Sequence, residues 1–285
     1  MPAHPPARHV LLTTGSSYLG FSDADATARA LMESLHRRGW PVTVLGRSKL
    51  DGVPVEEIEA GASARLASGQ VLEAQGGHPG MPLHFTLTGH GVPVTLVPVR
   101  SQSSEATPGA SAAAYLAVLD DLLEHTRPDL LVAWGYGPLL TAAMARVAAR
   151  KIPVACYVPD LSARDPAAFA HASAVVVPTQ IAAEFYRESL GLECVVLPSS
   201  VDPEAVQVDP TDPRFVTFID PTPAHGVFPF ARIADELACQ RPDIPLLVVE
   251  QHGTEATLAA CGLDLRTRNT VHLMPPTPDP RDYWR

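Results

Sequence analysis

The chain has 285 residues, 46% of them hydrophobic and 18% charged, with a formal net charge of −10. At roughly 150 residues per domain this length suits about two globular domains with real cores, and the composition excludes a disordered tail. The acidic balance excludes a general affinity for nucleic acid or an anionic membrane, either of which demands clustered Lys and Arg.

Arg37, Arg38, Arg47 and Lys49 could form a local basic patch, although basic residues at helix ends are more often solvated or complement the helix dipole. The opening MPAHPPARHV lacks the apolar stretch of a secretory signal, and no apolar run approaches the roughly eighteen residues that span a bilayer. The expected address is therefore the cytoplasm. Cys156, Cys194, Cys239 and Cys261 lie far apart without a C-x-x-C pair, which predicts buried reduced thiols rather than disulfides or zinc.

In chain order, residues 9–14 form a continuously apolar strand, as expected when helices cover both faces of a parallel sheet. Ser22 is placed to cap a helix whose Ala24, Ala28, Leu31, Met32 and Leu35 share one face, and Gly39 stops it before the strand PVTVL. Between 51 and 100 the pattern loosens to two strands around Gly89–Gly91. A helix over 111–124, the strand DLLVAW, a helix over 138–150, the strand PVACYV, a short helix near 166–170 and the strand AVVVP follow. Thr179 caps QIAAEFYRESL, Gly191 ends it, and CVVLPSS carries the chain out. This alternation predicts a mostly parallel α/β sheet in a first domain over 1–203.

A proline-rich acidic linker over 204–214 leads to a second domain over 215–285, where the alternation restarts. It has a strand from Phe215, a helix over 228–240, the strand IPLLVVE, a helix around 254–261, the strand TVHLM and a last turn in DPRDYWR. Three strands make this second Rossmann-like domain partial.

Three stretches carry candidate chemistry. TTGSSYLG sets Gly15, Ser16, Ser17 and Gly20 between a strand and a helix start, where orphan amides attract anions; a plain turn and a ligand loop fit equally. It meets neither the Walker spacing nor the dinucleotide fingerprint. AWGYGP puts Trp134, Gly135 and Tyr136 at the carboxyl edge where open sheets bind ligands, with aromatic rings suited to stacking on a sugar or to packing. YVPDLSARD offers Asp160 and Asp165 just past a strand end; Asp160 could act as a base or bond a sugar hydroxyl, and the plainer reading is a loop acid or helix cap. His78, His84 and His90 lack metal-ligand spacing, and no G-x-S-x-G elbow is present. An oxidoreductase is disfavoured because Gly46–Arg47 stand where a ribose-binding acid belongs.

The succession RPDLLVAWGYG, AVVVPTQIAAEFYRESLGLECVVLPSSVDPE, FVTFIDPTPAHGVFPFARIADELACQRPDIPLLVVE and VHLMPPTPDPRDYW resembles the retaining nucleotide-sugar glycosyltransferases of the GT-B fold, the family-four type. The resemblance implies an acceptor-side first domain, with loops at Gly15, Ser16, Ser17, Gly20, Trp134, Gly135 and Tyr136, and a donor-side second domain. Donor contacts fall at Pro223, His225, Gly226 and Glu250, and Asp160 takes the catalytic position. No metal or organic cofactor is expected, the nucleotide-diphosphate sugar being a substrate. Where the family has Lys before the loop glycine and an Arg a few residues earlier, this sequence has His225 and, approximately, Asp220, a carboxylate expected to repel phosphate. Pro159–Asp160 replaces a His-containing pair, and the family's glutamate pair beyond DPRDYWR is absent. The expectation is a weak or inactive transferase as this chain alone, with a homodimer or partner chain covering the incomplete second domain. The alternative is a non-catalytic partner subunit or binding module on the same scaffold.

Overall fold

A computed structural model describes residues 8–15, 18, 23–49, 64–65, 71–76, 85–88, 92–99, 110–199, 206–209, 214–251, 253–262, 270–276 and 280–283. Its contacts divide the chain into two compact units, Met1–Val201 and Asp202–Arg285.

The first unit runs β1 (Val10–Thr14), α1 (Asp23–Arg37), β2 (Val42–Lys49), β3 (Ala64–Arg65), β4 (Val71–Gly76), β5 (Phe85–Thr88), β6 (Val94–Val99), α2 (Ala110–Thr126), β7 (Leu130–Trp134) and α3 (Pro138–Ala149). It continues with β8 (Val154–Tyr157), a 3-10 turn (Pro166–Phe169), β9 (Ala174–Val177), α4 (Gln180–Leu190) and β10 (Cys194–Val196). The strands form one sheet in the order β10-β9-β8-β7-β1-β2-β6-β5-β4-β3. Pairing is parallel from β10 across to β6 and antiparallel from β6 to β3. The antiparallel wing is where the helical period fails: β5 and β6 flank the expected Gly89–Gly91 turn, whereas β3 and β4 were not legible.

Every residue of β1 is buried, and its alternate residues feed two cores. Val10 and Leu12 pack with Ala28 and Met32 of α1, while Leu11 packs with Tyr115, Leu119 and Met144 of α2 and α3. The continuous apolar run thus reflects a strand covered on both faces. Each such aliphatic side chain contributes about 1.5–3 kcal/mol on burial.

Tyr115 of α2 is fully buried in the core. Its hydroxyl lies 2.5 Å from Thr13 Oγ1, 2.9 Å from the Thr14 carbonyl and 3.1 Å from that of Leu45, tying the carboxyl end of β1 to the middle of β2. Burial pushes its pKa well above the ordinary tyrosine value. On the far side of α2, Asp120 pairs with Arg146 and, at 2.9 Å, with Arg150, fastening α3 in place. Thr179 caps α4 by accepting from Ala182 N at 3.1 Å, and Gly191 closes it in the left-handed region at φ 66°. Both follow the sequence signals.

The second unit consists of β11 (Val216–Ile219), α5 (Val227–Gln240), β12 (Leu246–Val249), α6 (Glu255–Ala260), β13 (Val271–Met274) and a 3-10 turn (Pro280–Tyr283). Its sheet is parallel, in the order β11-β12-β13. Val227, Phe230, Ala231 and Ala234 of α5 pack with Leu246, Val248 and Leu258, and Phe230 stacks on Phe218 with ring centroids 4.2 Å apart. The four thiols are free; burial holds for Cys156, but Cys239 is exposed on α5, contrary to expectation. Only one face of an amphipathic helix meets the core, and Cys239 lies off it. Among the described residues no helix is long and apolar enough to cross a membrane.

Candidate functional site

The carboxyl ends of β1, β2, β7 and β8 open onto a cleft of about 310 Å³ in the first unit. Gly15, Arg47, Trp134, Tyr136 and Asp160 line it together with the first turn of α3. Four expected residues, Gly15, Trp134, Gly135 and Tyr136, are thereby brought together with Asp160; Ser16, Ser17 and Gly20 lie outside the described residues, as do His78, His84 and His90.

Gly135 and Gly137 shape the turn, with φ of 98° and 124°, values that a side chain would strain. Gly135 is held from both sides: its N–H donates to the Tyr157 carbonyl at 2.8 Å and its carbonyl accepts from the Cys156 thiol at 3.4 Å. Burial pushes that thiol up to about 12. Gly137 is the N-cap of α3 and provides no side-chain cap, Pro138 has no N–H, and the first turn holds no acid. The amides of Leu139 and Leu140 therefore end at the cleft without an acceptor among the described residues.

The aromatic pair behaves differently from the sugar-stacking surface envisaged. Trp134 is 3% exposed and its ring stacks on Tyr157, centroids 3.9 Å apart at 5°, so that ring face is already occupied. Tyr136 is partly exposed and packs in part on the core. Asp160 is exposed; one carboxylate oxygen accepts from Ser162 N at 2.8 Å, and its carbonyl accepts from the Tyr186 hydroxyl at 2.7 Å. Asp165 caps the 3-10 turn through Ala167 N at 2.9 Å, the plainer of its two readings.

Arg47, one of the basic residues of the sequence, lines the cleft. Its position two residues beyond Leu45, which pairs with Thr13, sets it at the same sheet edge as Gly15. Among the described residues its guanidinium makes no hydrogen bond or ion pair, and its field reaches the buried Tyr115.

In the second unit the loop Pro221–Gly226 joins β11 to α5. Its amides are largely turned inward: His225 N and Val227 N donate to the Thr222 carbonyl at 3.1 Å each, and Gly226 N donates to that of Pro223 at 3.3 Å. Asp220 is buried and engaged by its own unit rather than exposed on the loop. It is 4% exposed, adopts a left-handed φ of 55°, accepts from Gly253 N at 2.8 Å and lies 2.9 Å from His225 Nδ1. A carboxylate accepts only, so Nδ1 carries the proton and Nε2 of the half-exposed ring is left available. Glu250 spends one carboxylate oxygen on Glu255 N at 2.7 Å, at the start of α6. Asp220 and Gly253 were the residues missed; positive φ in an aspartate and a glycine too crowded for a Cβ are tertiary facts. Among the described residues no group of three His, Cys, Asp or Glu is placed to hold a metal.

No protein-family model matches this chain, and no curated protein matches it in sequence. Solved structures do. A glycosyltransferase from Rickettsia africae is similar with a TM-score of 0.61 at 10% identity, over 95% of this chain and 69% of that one. TarM of S. aureus, solved with Fondaparinux, alpha-GlcNAc-glycerol and UDP, gives a TM-score of 0.55 at 8% identity over 95% and 78%. The UDP-GlcNAc 2-epimerase of Neisseria meningitidis, solved with UDP-GlcNAc, gives 0.51 at 11% identity over 97% and 74%. Likeness at such identities defines the fold: an α/β chain with GT-B-like Rossmann domains, the second sheet smaller than the first. It is the fold shared by nucleotide-sugar transferases and epimerases.

Proposed function

We propose that this chain is a glycosyltransferase-like protein, built for retaining transfer of a sugar from a nucleotide-diphosphate donor to a glycan or small-molecule acceptor, and weak or inactive as this chain alone. The observation that carries the reading is the repetition of one device. In each unit a glycine-led helix without a side-chain cap, α3 or α5, starts at the carboxyl end of a parallel strand. Such helix starts favour anions, and two of the similar structures, TarM and the Neisseria meningitidis epimerase, were solved with UDP or UDP-GlcNAc.

In this reading the Pro221–Gly226 loop receives the diphosphate, with His225 and the Phe228 amide as its donors, and the first cleft receives the acceptor. Transfer needs the developing charge on the leaving diphosphate to be stabilised more than the ground state is. Two features weaken that here. A neutral His225 bound through Nδ1–H to Asp220 offers an acceptor at Nε2, and only the imidazolium donates from both nitrogens. The loop amides are already bonded to Thr222 and Pro223. Asp160 is assigned to the acceptor hydroxyl, and no metal or organic cofactor takes part.

Calorimetric titration with UDP and UDP-GlcNAc tests the reading. Saturable binding that His225→Ala weakens supports it; no heat from any nucleoside diphosphate would sink it. The internally bonded loop and the engaged Glu250 favour a second reading, a non-catalytic module or partner subunit. Phe215 and Val216, at the start of β11, are exposed, and a second copy or another chain is the proposed cover. Nucleotide binding without release of sugar, with or without an acceptor, selects that reading.

A further inference from the structure

We propose that Asp220 is the positioning residue of a proton-linked site in the second unit. By holding Nδ1–H of His225 it leaves Nε2 as the ring atom that gains and loses a proton, so an oxyanion at the Pro221–Gly226 loop binds with uptake of one proton from solvent at Nε2. That oxyanion is the donor's diphosphate on the transferase reading, on which this step rests.

Asp220 follows β11 with 4% of its surface exposed and places its carboxylate oxygens on different partners, Oδ1 2.8 Å from Gly253 N and Oδ2 2.9 Å from His225 Nδ1. The backbone fixes this arrangement. Gly253 is pressed against Pro221, where a Cβ would come within 2.1 Å of the carbonyl oxygen, and Asp220 itself sits at φ 55° with its carbonyl accepting from Thr222 N at 2.7 Å. A half-exposed imidazole is thus gripped by a buried group that cannot swing away. A carboxylate has no hydrogen to give, so Nδ1 bears one in both states of the ring. Protonation therefore changes Nε2 alone, from a lone pair that repels an oxyanion to a charged donor that binds it.

The rest of the loop offers little in place of that proton. His225 N and Val227 N are spent on the Thr222 carbonyl, Gly226 N is spent on that of Pro223, and Pro229 has no N–H, which leaves the Phe228 amide as an uncharged donor. A charge-assisted hydrogen bond is roughly twice as strong as a neutral one, so the state of Nε2 decides whether the loop holds an oxyanion. Among the described residues the other charged groups on the surrounding elements are Glu250 just beyond β12, Glu255 at the start of α6 and Arg232 more than one turn along α5. Glu250 has one oxygen on Glu255 N, and Asp220 is the group in ion-pair contact with the ring.

The test titrates the full chain calorimetrically with UDP-GlcNAc and with sulfate, whose oxyanions do not titrate between about pH 6 and about pH 9, in two buffers of different ionisation enthalpy. Expected are an uptake approaching one proton per chain at the alkaline end and an affinity that falls about tenfold per pH unit there. His225→Gln, which keeps an uncharged donor, should abolish the uptake and flatten the slope. Asp220→Asn keeps an acceptor for Gly253 N but can donate to Nδ1, so the neutral ring can carry its proton on Nε2 and the slope should weaken with the fold intact by circular dichroism. Nitrogen-15 NMR of the free protein at about pH 9 reads the same change directly, with the proton on Nδ1 in the wild type and on Nε2 in Asp220→Asn. Should Asp220→Asn misfold, His225→Gln and the wild-type tautomer carry the test. Binding of UDP-GlcNAc without proton uptake, uptake that survives in His225→Gln, or a neutral wild-type ring protonated on Nε2 overturns the inference, while the transferase reading stands as long as UDP-GlcNAc binds. Proton-linked binding of sulfate without any binding of UDP-GlcNAc overturns the transferase reading alone, and a chain that binds neither overturns both.

Discussion

The turns before α3 and α5 are built alike and charged differently. Each follows a parallel strand, each uses a glycine of positive φ as N-cap, and neither has a side-chain cap or an acid in the first helical turn. Before α3 the orphan amides stay open and face a cleft that holds Arg47. Before α5 the amides fold back on Thr222 and Pro223, and the nearest ionisable pair is the buried Asp220 with His225. The shared strand–glycine–helix shape favours anions at both turns, and how strongly it does so depends on which donors the loop leaves unspent and which charge stands beside them.

Substitutions that attack one turn and spare the other break this comparison most directly. Gly253→Ala should have the largest effect, since a Cβ there would sit 2.1 Å from the Pro221 carbonyl oxygen and the backbone of the second loop must move. A loss of about 3 kcal/mol in chemical denaturation of the second unit is expected, with the Arg47 cleft unchanged. Asp220→Ala comes next: it strands the buried Gly253 N–H and releases His225, at a cost of about 2 kcal/mol, while Asp220→Asn keeps an acceptor and a residue tolerant of the left-handed region. If Asp220→Ala proves neutral in urea titrations, the inward reading of that carboxylate is wrong.

On the other side, Gly135→Ala forces a side chain into φ 98° and should cost about 1–2 kcal/mol while leaving UDP binding intact. The smallest effect is one of pH. Cys156, whose thiol supports the Gly135 carbonyl, has its pKa raised by burial from 9.0 to about 12. The folded state then keeps a proton that the unfolded chain loses, so this contribution is complete below pH 9 and declines as pH rises toward 12. At pH 10 the loss is about 1 kcal/mol, and Cys156→Ala should remove that slope from the denaturation midpoint. In the native protein at pH 8, iodoacetamide should label Cys239 quickly and Cys156 hardly at all.

Much of this architecture is local enough to read in one dimension. The run VLLTT, the Thr179 cap, the Gly191 stop and Pro138 at the start of α3 each act through a few neighbouring bonds, and each appears where the residue pattern puts it. The short strands β3 and β4 lack such signals, because an antiparallel wing at a sheet edge is held by its pairing rather than by its own apolar period. The candidate sites divide in the same way. Gly15, Trp134, Gly135, Tyr136 and Asp160 were legible as strand-end residues, and the fold collects them at one edge.

What the sequence determined by itself was the alternation of elements, hence a mostly parallel α/β chain, and the glycine turns that end its strands. Only the tertiary structure decided what those turns present. That Arg47 lines a cleft, that Trp134 buries its ring against Tyr157 and that Asp220 bonds Gly253 depend on residues far away in the chain. The physical reason is that a backbone turn depends on local dihedral preferences, whereas the charge and free donors around it depend on desolvation and partners that only packing supplies.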